Sequence, residues 1–294
     1  MTGIDFDFAR YIAARRGQVE QRAREGAAYA FAGERRMRRA LSSAAPVTIA
    51  LEATTRLWKN VAKTELLGSS VKVTDQQFPR IYQAAHRAGE ALHVRPPPIY
   101  VARTGNLTAK ALGTEDDAYV VVSAQLAEAL DDAELTAAMA HELAHIQNSH
   151  VLYGTALHYL TTSAIMFVRW VVQPAIMTLQ AWSRRAEITC DRAMLLATHD
   201  LDVALATMVK MTLGLERGTP FDIADYLKEL PDQRRGVGRY AEMFRSNPYL
   251  PKRVQALRLF AGSAFYGQQI GDRETRTMSA EELDKKVAAI VSVI

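Results

Sequence analysis

From Leu135 through Met139, Leu143 and Ile146, apolar residues return every three or four positions, the spacing of one helix face. Asp131 and Glu134 stand three apart just ahead of that stripe, as in a helix-opening capping box, and the pattern predicts a helix running to about Leu152. Segments 8–40 and 44–68 also read as helices, because Ala, Arg, Glu and Leu dominate them and breakers are few. Thr74 with Gln77 resembles a second capping box, opening a helix over about Phe78–Leu92 that Pro96, Pro97 and Pro98 stop. Two β-rich runs follow, Ile99–Ala102 and Tyr119–Ser123, with the Gly- and Asp-containing stretch 105–117 between them.

Residues Ala156–Trp182 form the most apolar stretch, long enough to suggest a membrane span. Arg169, Gln173 and Pro174 interrupt its middle, which is costly in lipid. A single crossing would also put the metal-site residues described below on opposite sides of the bilayer. A buried helical hairpin, or one dipping shallowly into a membrane, meets both objections.

Composition adds limits more than direction. The chain of 294 residues can bury a sizeable core, and its single cysteine, Cys190, excludes an internal disulfide. The opening Met1–Arg16 lacks the apolar core of a secretory signal, so the expectation is a cytoplasmic protein, with peripheral membrane association as its variant. Residues 1–45 carry nine Arg against five acids, which accounts for the net charge of +4. Such a segment could meet an anionic membrane or nucleic acid, but a solvated helix laced with Arg–Glu pairs is the simpler reading. No nucleic-acid-binding motif is present, so nucleic acid is not expected as a partner.

The chemistry concentrates in His141-Glu142-Leu143-Ala144-His145, an HExxH pattern. On a helix, positions i and i+4 lie about 40° apart, so both imidazoles face one point as zinc ligands. Glu142 points to the flank, where it can take a proton from water activated by the metal. Two His leave zinc short of a ligand. Downstream, Glu187 and Asp191 are again i and i+4, at the start of what reads as another helix. Glu187 can complete a His₂Glu set, and Asp191 can accept the free N–H of a ligand imidazole from behind. A solvated helix face with Arg–Glu contacts is the plainer alternative for that pair. His150, His158 and His199 fall outside the ligand spacing and read as surface or satisfied core histidines; Cys190 reads as a small buried packing residue.

These motifs resemble the zinc metallopeptidase family that includes HtpX-type heat-shock proteases and CAAX prenyl proteases, over roughly residues 75–260. The resemblance is carried by Asn106 ahead of Gly113, Leu126, the Asp131–Leu135 run, His141–His145, and Arg184-x-x-Glu187-x-x-x-Asp191. It implies an α+β, mostly helical fold: a zincin-like core with the HExxH helix and a small sheet, plus N-terminal helices. It implies one zinc ion on His141, His145 and Glu187, Glu142 as the base, and a peptide or protein substrate. Residues Asn106–Ala111, with Asn106, Thr108 and Ala109 as contacts, would be the edge along which substrate backbone pairs.

The chain departs from the family where a His-Pro pair is usual: Asn247-Pro248 stands there, followed in register by Arg253. The family His is thought to stabilise the oxyanion, a task left to Asn247, with Arg253 or Tyr249 assisting. The expected division is an N-terminal basic helical segment over 1–73, a peptidase domain over 74–265 and a helical tail over 266–294. The competing reading is a catalytically weak zinc-binding scaffold that holds peptides or sits on a membrane.

Overall fold

The computed structural model describes residues 26–42, 44–58, 63–103, 108–162, 166–217, 219, 222, 225, 226 and 242–292. Helices dominate, around one small mixed sheet. Helices α1 (Ala32–Leu41), α2 (Ala45–Leu57) and α3 (Lys63–Gly68) precede strand β1 (Ser70–Lys72). Helix α4 (Pro79–Leu92) leads to β2 (Ile99–Ala102), β3 (Ala109–Gly113) and β4 (Ala118–Ser123). Then come α5 (Ala124–Ala129), α6 (Asp132–Gln147), α7 (Val151–Thr162), α8 (Met166–Thr198) and α9 (Leu201–Leu213). After a 3-10 turn at Glu242–Phe244, α10 (Leu250–Ala261), α11 (Ala264–Ile270) and α12 (Ala280–Val291) close the chain.

The strands lie in the order β1-β2-β4-β3, with β2 and β4 parallel and the outer pairs antiparallel. Strand β3 therefore forms an edge. Composition does not declare it a strand, because Lys110 and Gly113 break the β-rich pattern, although the family resemblance implies an edge over Asn106–Ala111; pairing with β4 imposes the extended form. A four-residue turn joins the two, closed by mutual backbone bonds between Thr114 and Asp117. Gly113 enters it at φ +123°, and a Cβ there would meet the Asp117 carbonyl.

The Asp131–Glu134 capping box forms as expected: Asp131 accepts from the Ala133 and Glu134 amides, and Glu134 reaches back to the Asp131 N–H. Thr74 and Gln77 behave differently. They close a turn ahead of α4, whose first turn is entered through Phe78 in the left-handed region. Helix α6 stops short of the expected Leu152. Asn148 bonds back to the Ala144 carbonyl, Ser149 turns left-handed at φ +56°, and the His150 amide bonds to the His145 carbonyl.

Helix α6 packs chiefly against α8 and α4, with Leu135, Met139 and Leu143 wholly buried. Helix α8 is one element from Met166, not a new helix near Ser183, and it passes through Pro174. The packing of Ala175, Ile176, Leu179 and Trp182 outweighs the backbone bond that proline removes. These residues join Leu41, Val47, Tyr153 and Leu157 in a second core, where α7 and α8 pack against each other and against the N-terminal helices. Among the described residues no helix is long and apolar enough to cross a membrane.

Of the expected helix over 8–40, residues 8–25 lie outside the described part, and 26–31 are a turn. That turn is stitched across the interior: Ala27 N–H to Asn148 Oδ1, Tyr29 O–H to Gln147 Oε1 and Phe31 N–H to Thr189 Oγ1. Tyr29 and Phe31 belong to the main core, as do Leu283, Val287 and Val291 of α12. The terminal segments thus share a core with residues 74–265.

Candidate metal centre

Helix α6 presents His141 and His145 on one face, and α8 brings Glu187 opposite. His141 Nε2 lies 3.5 Å from Glu187 Oε2, and His145 Nε2 lies 3.6 Å from Glu187 Oε1. Each imidazole is held from behind through Nδ1. His141 Nδ1 is 3.3 Å from Asp191 Oδ1, and His145 Nδ1 is 3.2 Å from His150 Nδ1. A neutral ring that donates from Nδ1 carries its lone pair on Nε2, so in the form that binds a metal both lone pairs face the Glu187 carboxylate. This is the donor set that a tetrahedral divalent cation needs, with a fourth position to spare.

A second grouping of potential ligands is His141, His145 and Cys190. Cys190 Sγ lies 3.8 Å from His150 Nδ1, on the side that holds the Nδ1 atoms. Burial, with the carboxylates around it, pushes the thiol well above its ordinary pKa, whereas a thiolate would be needed to ligate. Glu187 is therefore the better third donor.

The electrostatics favour a cation between these groups. Burial alone would lower the His141 pKa, but Asp191 and Glu187 outweigh it and lift the ring to about 10. His145 moves well below its ordinary value, through burial and the neighbouring His141 charge. Burial would raise Glu187, yet His141 and Arg253 hold it below the usual carboxylate range.

Glu142 is buried on the flank of α6, and its Oε2 accepts the Ala111 backbone N–H of β3 at 2.6 Å. Burial raises its pKa, reinforced by the Glu187 charge and opposed by His141 and the Ala111 amide. The cleft above these groups, about 870 Å³, is lined by Thr108 and Ala109 at the start of β3 and by Asn247 and Tyr249. Asn106 lies outside the described residues.

Arg253 lines the same cleft, with its guanidinium engaged by two carboxylates. Its Nε and Nη2 grip Asp191 at 2.9 and 2.5 Å, and Nη2 lies 3.4 Å from Glu187 Oε2. Those carboxylates occupy the guanidinium, which leaves exposed Asn247, with Tyr249, among the loop residues that line the cleft. The loop is tied down by Arg184, whose Nη1 donates to the Glu242 and Arg245 carbonyls.

Two contributors were not legible in the sequence. His150 is fully buried, its Nε2 3.3 Å from Glu34 Oε1 on α1, and Glu34 also accepts from Trp182 Nε1. Burial would raise the Glu34 pKa, but His150 and Arg38 hold it low. Glu34, His150 and His145 thus lie in sequence behind the candidate metal position, with a ring–ring contact of 3.2 Å and a His150–Glu34 approach of 3.3 Å. Glu34 lies over a hundred residues from His150, and no local spacing connects them.

The chain belongs to Peptidase family M48, whose model matches residues 75–261. It is 32% identical to the plastoglobule-localized metallopeptidase 48 of Arabidopsis thaliana, over 51% of this chain and 45% of that one. It is 36% identical to a protease HtpX homolog of Halobacterium salinarum, over 26% of this chain and 27% of that one. A protease HtpX homolog of Trichormus variabilis is 26% identical over 74% of this chain and 86% of its own. The chain thus spans less than half the length of the first two relatives. No solved structure matches it.

Proposed function

We propose that the chain is a zinc-dependent metalloendopeptidase acting on peptide or protein substrates. The observation that carries this reading is the convergence of both Nε2 atoms on Glu187, each ring tethered through Nδ1. Zinc is the ion this His₂Glu set suits, and when bound it would supply Lewis acidity toward water and the scissile carbonyl.

The side chains then divide the work. His141, His145 and Glu187 hold the ion; Asp191 and His150 fix the rings, and Arg253 fixes Asp191. Glu142 takes a proton from the attacking water and passes it to the leaving amine, and its raised pKa suits a group that must do both. Substrate backbone adds at Thr108 and Ala109, where β3 begins, and Asn247 donates a neutral hydrogen bond to the developing oxyanion. Residues 74–265 form the catalytic unit, with 1–73 and the C-terminal tail as its flanking segments.

The test is zinc stoichiometry and peptide-library cleavage for wild type and Glu142→Gln side by side. One zinc in both proteins with cleavage only by wild type is expected. One zinc in both and no cleavage by either would favour a peptide-holding scaffold; cleavage by the variant would remove Glu142 from its role.

A further inference from the structure

Side chains alternate along β3, and this separates two tasks. Ala111 and Gly113 turn their N–H groups away from β4, to Glu142 and to Thr155 Oγ1. Lys110 and Leu112 project to the opposite face of the sheet from Ala111. Leu112 fills that face against Trp58, Tyr119 and Val121. Lys110, nearer the open end, extends toward α7, where its Nζ lies 3.1 Å from His158 Nδ1.

Burial and the Lys110 charge push the His158 pKa down to about 4, so at neutral pH the ring is uncharged and can accept one ammonium proton. Two of the three ammonium donors are left to point elsewhere. Among the described residues no carboxylate forms an ion pair with Lys110. Lys110 is exposed at the rim of the cleft, and the walls beside it lower the ammonium pKa against the opposing pull of Glu142 and Glu187. There is room beside it. Gly154 sits one turn before His158 on α7, and a Cβ built there meets nothing within 4 Å. Lys110, Gly154 and His158 line the same cleft as His145 and Glu142.

We propose that Lys110, backed by His158, is a specificity-determining subsite for a substrate carboxylate, supplied by an Asp or Glu side chain near the scissile bond. The inference rests on the peptidase reading and on strand addition along β3. In an antiparallel pair, residues directly opposite share a face. The substrate residue facing Lys110 therefore presents its side chain beside the ammonium and over the Gly154 opening.

The experiment uses zinc-loaded full-length protein, wild type and Lys110→Glu, on a peptide library. In wild type, Asp and Glu are expected to be enriched at one fixed position from the cut, with about threefold to fivefold higher kcat/KM than the Asn and Gln counterparts. Lys110→Glu should move that position toward Lys and Arg. An acidic preference that survives in Lys110→Glu, or none in wild type, overturns the subsite while leaving the peptidase standing.

Labelled peptides are also titrated onto zinc-loaded Glu142→Gln, with and without Lys110→Glu, by fluorescence anisotropy. If wild type cleaves nothing but the binding preference follows residue 110, the peptidase reading falls and the subsite holds. Equal binding of acidic and amide peptides overturns it. A preference lost on amidating the peptide C-terminus would overturn the side-chain assignment in favour of a terminal carboxylate.

Discussion

Ala111 donates its backbone N–H to Glu142 Oε2 at 2.6 Å, which joins the sheet edge to the proposed catalytic base. The same alternation turns the Gly113 amide onto Thr155, so side chains of α6 and α7 already occupy two outward N–H groups of β3. Ala109 lies in the same phase and forms the outward-facing position nearest the cleft mouth. A substrate strand is therefore expected to dock chiefly at Ala109. In a scan of backbone N-methylated peptides, one position should lower kcat/KM by roughly threefold to tenfold, the effect of losing one hydrogen bond. A flat scan would exclude strand addition.

Arg253 holds two carboxylates, buried Asp191 and partly buried Glu187. Arg253→Met should leave them unpaired and destabilise the metal-free protein by about 3–5 kcal/mol, the usual consequence of breaking a buried ion pair from one side. Chemical denaturation of the two apoproteins measures this. A change below about 1 kcal/mol would mean that solvent reaches the pair.

Removing His150 takes away the acceptor behind His145. His150→Ala is expected to weaken zinc binding about tenfold to a hundredfold in chelator competition, the usual effect of losing a group that orients a ligand. Glu34→Gln keeps a hydrogen-bond acceptor and should weaken it less. Unchanged affinity in both variants would separate the N-terminal helix from the metal centre.

Asn247 faces the cleft where the resemblance leads one to expect a histidine. If that position serves the oxyanion, Asn247→His should raise kcat, by up to about a hundredfold given what single donors contribute. Steady-state kinetics with one cleaved peptide decides it, and an unchanged kcat makes the residue a bystander.

Asp117 gathers Lys63 Nζ, Tyr119 O–H and Trp58 Nε1 at the β3–β4 turn. Burial would raise its pKa, but these partners hold it below the ordinary value. A depressed carboxylate contributes stability above its unfolded pKa of about 3.9, and the contribution is lost as pH falls through the folded value. Thermal stability should drop on acidification below about pH 4, more in wild type than in Asp117→Asn. Equal acid limbs in melts followed by tryptophan fluorescence would dismiss this linkage.

Features closed within one or two helical turns were readable from residue order alone. The Asp131 capping box, the i, i+4 pair His141 and His145, and the i, i+4 pair Glu187 and Asp191 need no information beyond the helix that carries them. The strands at 99–102 and 118–123 also declared themselves by composition, to within a residue. Strand β3 did not, since its extended form comes from pairing with β4 and its sequence contains a lysine and a glycine.

Only packing could bring Glu34 to His150, Arg253 to Asp191, or the Ala111 amide to Glu142. Each contact joins elements far apart in the chain, and none has a period or spacing to betray it. Packing also engages part of the apolar stretch 156–182. Hydropathy alone suggested lipid, whereas Leu41 and Val47 of the N-terminal helices give part of it a protein partner. Local chemistry thus located the proposed metal-binding face, and long-range packing chose the groups that hold its rings, its proposed base and its cleft in place.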